Sequence, residues 1–110
     1  MTTQVNPYFM ELNFDAKLRP AEQFEQFHKL NPQVATALED MAAELIQRGR
    51  RKVGIKMLME VLRWNYQMKT DDPNSDFKLN NNYAPYYARL LIERHPNWSD
   101  VFELRQIRSN

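Results

Sequence analysis

Residues 54–68 read GIKMLMEVLRWNYQM, and this stretch decides the fold. At about 100° per residue, a helix through it places Ile55, Leu58, Met59, Leu62 and Tyr66 on one side. Met57, Val61, Trp64 and Met68 fall on the adjoining side, and only Lys56, Glu60, Arg63 and Gln67 make a polar stripe. A helix apolar over most of its circumference has to be covered by other elements. The expectation is therefore a helical domain whose remaining segments enclose this central helix.

The flanking segments fit that expectation. PAEQFEQFHKL, residues 20–30, puts Phe24, Phe27 and Leu30 on one face, with Pro20 in a first turn and Glu22 where the helix dipole favours an acid. Asn31-Pro32 ends this helix and starts the next, with Asn31 as the expected N-cap and Pro32 as first residue. The second helix runs to about Arg48 on the stripe Val34, Leu38, Met41, Ala42, Leu45 and Ile46, and Gly49 supplies the left-handed residue that stops it. After Met68, KTDDPNSD reads as a surface loop. Asn82 is the expected cap of a fourth helix from Tyr83 to about Arg94, stopped by His95-Pro96. The end of the chain, NWSDVFELRQIRSN, fits a short helix or a strand equally well. Residues 1–19 show no sustained period and read as a flexible tail, leaving 20–110 as a single helical domain. The fold class is thus all-α or mainly α: a compact four-helix domain, winged-helix or helix-turn-helix-like, with minimal β-pairing among Val53, Phe77 to Leu79 and Phe102 to Leu104.

Composition narrows the function classes. No apolar run approaches the roughly 18 residues a membrane span needs, so no membrane partner is expected. The opening MTTQVNPYFMELNF lacks a basic region followed by an apolar core, and no export signal is expected. Cysteine is absent, which removes disulfides, thiolate metal sites and a cysteine nucleophile, and fits a reducing cytoplasm. His28 and His95 stand alone without the spacing that lets one helix face hold zinc, and neither a Walker-type nor a dinucleotide-binding glycine pattern occurs. No cofactor or metal is expected. Asp76-Phe77-Lys78 has the acid-x-lysine form of metal-dependent nucleases, but its acidic partner would have to be Asp71 or Asp72 in a loop, and a non-enzymatic role is the better reading.

Charge points to an anionic partner. The net charge is only +1, yet residues 1–42 hold three Lys and Arg against six Asp and Glu, while 43–110 hold twelve against eight. Arg50, Arg51 and Lys52 cluster at the stop of the second helix, where phosphates could be met. In a tri-helical DNA-binding domain the last helix enters the major groove with its first residues toward the bases. Asn80, Asn81, Asn82 and Tyr86 would then lie there, with Arg89 on the same helix and Lys78 just before it. The leading expectation is a double-stranded DNA-binding protein. The alternative is a protein-interaction module, such as a phage-made inhibitor of a host or defence protein. A homodimer through one face of the central helix is a structural variant of either.

The strings FEQFHKLNPQV, LRWNYQMKT, DFKLNNNYAPYYARLLIERHP and VFELR, spanning residues 24–105, resemble a family of small uncharacterised proteins encoded by bacteriophages and bacterial genomes. The resemblance implies a bacterial or phage setting, hence the cytoplasm of a bacterial host cell. It carries no activity to this chain. The signature marks Phe24, His28, Asn31, Arg63, Trp64 and Arg89, among others, as positions serving either the fold or a partner.

Overall fold

The computed structural model describes residues 18–70 and 79–103. Four helices form: α1 over Pro20–Leu30, α2 over Pro32–Gln47, α3 over Ile55–Lys69 and α4 over Ala84–Arg94. Single 3-10 turns over Asn81–Tyr83 and Pro96–Trp98 bracket α4. Among the described residues there is no strand. The expected tail up to Ala16 and Lys17, the 71–78 loop with its acid-x-lysine fragment, and the last residues of the chain lie outside those described.

Local chemistry accounts for most helix ends. Pro20 and Pro32 occupy first-turn positions where a missing N–H costs no hydrogen bond. Gly49 ends α2 with φ of 93°, a left-handed conformation that side chains with a Cβ adopt only at a cost. Asn31 departs from the expectation. Its side chain makes no cap bond to α2; its Nδ2 donates to the Phe27 carbonyl at 3.0 Å, and the residue is completely buried. It closes α1 instead. Asn82 departs likewise: Asn80 is the capping residue, its Oδ1 accepting from the Asn82 N–H at 2.9 Å. The Asn81–Tyr83 turn that this cap opens displaces the start of α4 to Ala84.

The core is drawn from one face of each helix: Phe24 and Phe27, then Val34, Ala35, Leu38 and Ala42, then Ile55, Leu58, Met59 and Leu62, then Ala84, Tyr87, Ala88 and Leu91. α3 packs against α2 and α4, and α1 packs against α2. Aromatic rings join α1 to the start of α4. The Phe24 ring meets Tyr87 edge-on at 4.8 Å and stacks on Tyr86 at 5.3 Å, and Phe27 lies 5.2 Å from Tyr83. Beyond α4, Trp98 stacks on His95 at 3.9 Å and buries itself with Phe102. The backbone N–H of Val53 donates to the Val101 carbonyl at 3.0 Å, which ties the α2–α3 link to the final described segment without making a strand.

Full enclosure of the central helix is corrected by the structure. Ile55, Leu58, Met59 and Leu62 are buried, but Met57, Val61, Trp64 and Met68 are 50%, 40%, 64% and 67% exposed. The reason is geometric. α2 and α4 both pack on α3, and among the described residues no further element covers its opposite side.

Candidate interaction surface

The exposed side of α3 is a continuous stripe. Met57, Val61, Trp64 and Met68 are separated by four, three and four residues, the spacing of a coiled-coil seam. On a straight helix these side chains stand above one another over about 16 Å. Together they present on the order of 450 Å² of mostly apolar surface, within the range of patches that commonly serve binding. Their chemistry matches contact surfaces: tryptophan and methionine are enriched in the cores of protein interfaces.

A groove of about 710 Å³ continues this stripe over the N-terminal half of α3. Met41 and Leu45 of α2 line it with Met57, Leu58 and Val61 of α3, and Glu44, Arg48, Gly49 and Arg50 border its end. Arg48 is held by Glu44 in an exposed ion pair of 3.0 Å.

A second groove, of about 950 Å³, lies across the N-terminal ends of α3 and α4. Apolar atoms of Pro20, Val53, Ile55, Ala84, Pro85, Ala88 and Val101 line it together with Lys52, Lys56, Asn82, Tyr86 and Glu103.

The residues expected to meet DNA are divided between these places. Lys52, Asn82 and Tyr86 do share the second groove, although the Lys52 ammonium donates to the Asp100 carbonyl at 2.6 Å and Tyr86 rests on Phe24. Arg50 borders the first groove, while Arg51 and Arg89 are exposed outside both. Asn80 is occupied as a cap, and Asn81 accepts from the Arg63 guanidinium. That guanidinium also donates to Glu60 and to the Leu79 carbonyl, so Arg63 pins the approach to α4 onto α3. Lys78 lies outside the described residues.

Two further polar groups serve the fold. Glu39 on α2 accepts from Arg94 at 2.9 Å and from the His95 Nε2 at 2.5 Å, clasping the end of α4. Chiefly the His95 hydrogen bond, with Arg94 adding to it, holds the Glu39 carboxyl below the usual carboxylate range. Burial, with the charge of Arg94 second, pushes His28 below the usual histidine value, and its Nδ1 has no hydrogen-bond partner. Among the described residues no group of three or more His, Cys, Asp or Glu could hold a metal ion, and no helix is long and apolar enough to cross a membrane.

The α3 stripe is the feature that sequence reading assigned to the wrong place. Its spacing was visible, but the same spacing describes a buried face. Compared with known proteins, the chain matches no family model, no curated protein and no solved structure.

Proposed function

We propose that this chain is a non-enzymatic protein-interaction module whose contact surface is the outer face of α3. One observation carries the reading: four large apolar side chains stand exposed in seam register on a helix whose other apolar face is already in the core. Burying such a stripe against a partner gains roughly 25 cal/mol per Å² of apolar area, so leaving it in water wastes several kcal/mol. The setting implied by the resemblance is a bacterial cell, with a host or defence protein or a second copy of the chain as the partner.

A photo-crosslinking amino acid placed at Val61 or Met68 tests the reading in a bacterial host. A discrete protein adduct is expected from both sites and none from Arg89, and Trp64→Ala should abolish the adduct. Equal labelling from all three sites, or none from 61 and 68, overturns it.

The shared placement of Lys52, Lys56, Asn82 and Tyr86 around one groove supports a second reading, contact with double-stranded DNA. Titration of duplex DNA at two salt concentrations tests it, because each neutralised phosphate releases counterions. Lys52→Ala with Lys56→Ala should weaken binding and flatten the salt slope. Unchanged affinity and slope remove this reading.

A further inference from the structure

The stripe and the groove beside it are complementary to each other, and the geometry points to a second copy of this chain as the partner, paired antiparallel through α3. The inference rests on the contact-surface reading and names its occupant. The groove opens over the N-terminal half of the seam, where Met41, Leu45, Met57 and Val61 line it. Trp64, the exposed tryptophan of the seam, stands in its C-terminal half and is 64% exposed. A two-fold axis crossing α3 midway between Leu62 and Arg63 brings Val61 opposite the partner's Trp64 and Met57 opposite the partner's Met68. Each indole then descends into the other copy's groove, twice over, with Arg48 and Arg50 at the groove border placed to meet its face.

A parallel pairing has no such fit. It sets Trp64 against its own equivalent and leaves both grooves open. The antiparallel arrangement also opposes the two helix dipoles and places Glu60 beside the partner's Gln67, an uncharged neighbour. The area suffices: two seams of on the order of 450 Å² each reach about 900 Å², and the groove residues outside the seams, Met41, Leu45, Arg48 and Arg50 of each copy, bring the total to the roughly 1,000 Å² expected of a specific interface.

Sedimentation equilibrium of the full 13.2 kDa chain across a wide concentration range is the test. The weight-average mass should rise from the monomer to twice that value. Trp64→Ala removes two central anchors per dimer and should weaken association about 100-fold, and Val61→Lys should leave a monomer at every concentration. Both positions are exposed in the monomer, so helical content should persist, while Arg89→Ala should dimerise as the parent does. A chain that stays monomeric, or a dimer indifferent to Trp64→Ala and Val61→Lys, overturns the inference. A monomer that still forms the Trp64-dependent adduct with a different protein overturns self-pairing alone and leaves the contact-surface reading standing. Direction is read in the cysteine-free background by mixing Met57→Cys and Met68→Cys chains under oxidation. Mixed 57–68 disulfides are expected, and a preference for 57–57 and 68–68 links overturns the antiparallel arrangement.

Discussion

Replacing Glu39 by glutamine should weaken the domain at neutral pH and cease to matter in acid. The Glu39 carboxylate joins α2 to the end of α4 through Arg94 at 2.9 Å and His95 at 2.5 Å, residues 55 and 56 positions away. Charge-assisted hydrogen bonds contribute about 1.5–3 kcal/mol each in protected sites, whereas exposed ion pairs contribute about 0.2–1 kcal/mol. Here the carboxylate side chain is 24% exposed and its partners are 35% and 34% exposed, so solvent screening places the pair of bonds toward the lower range. Glutamine keeps an acceptor oxygen and loses the charge. The expected loss is about 1–1.5 kcal/mol, or a fall in Tm of roughly 5–10 °C for a domain of this size.

The pH dependence follows from the depressed carboxyl. A group whose folded pKa lies below its unfolded value contributes stability that is fully present above about 4.5 and is lost as pH falls through the folded value. Thermal unfolding followed by circular dichroism at pH 7 and at successively lower pH should show the Tm difference between parent and Glu39→Gln shrinking below pH 4.5. A difference that stays constant across that range would refute the assignment of Glu39 as a charged clasp.

Three further substitutions test the local accounts. Gly49→Ala introduces a Cβ into open space at φ of 93°, so only backbone strain opposes it; a loss of about 1 kcal/mol in urea unfolding is expected, and no loss would contradict the left-handed stop. Tyr87→Phe removes a buried hydroxyl that has no hydrogen-bond partner, and the free energy of unfolding should hold or rise by up to about 1 kcal/mol, a clear fall being the contrary result. Asn80→Ala deletes the cap before α4 and should cost about 1 kcal/mol, with hydrogen exchange quickening at the Asn82 amide; unchanged exchange there would show that the cap is immaterial.

Helix positions were legible in the sequence because their signals are local. Pro20, Asn31-Pro32 and Gly49 fix chain direction by their own backbone constraints, and the boundaries of α1 and α2 follow within a residue. The start of α4 slipped because Asn80, Asn81 and Asn82 are chemically equivalent as caps, and only the geometry of the 3-10 turn selects Asn80. The clasp by Glu39 and the anchoring by Arg63 join residues far apart in the chain, so no spacing rule could disclose them. The outer face of α3 shows the other limit. A helical wheel counts apolar positions but not neighbouring elements, and Met57, Val61, Trp64 and Met68 carry the pattern of a core face whether or not anything lies over them. The basic residues were read as one cluster, but their side chains do not share one site. Lys52 turns to the Asp100 carbonyl and lines the second groove, while Arg50 borders the first.

Self-pairing requires the outer face of α3 to close against another copy while its inner face stays in the core. Methyl NMR of chains labelled at methionine reads both faces in one spectrum. With rising protein concentration the Met57 and Met68 resonances should shift together along one binding curve, while that of fully buried Met59 stays fixed. Invariance of Met57 and Met68 across that titration would contradict self-pairing through this face.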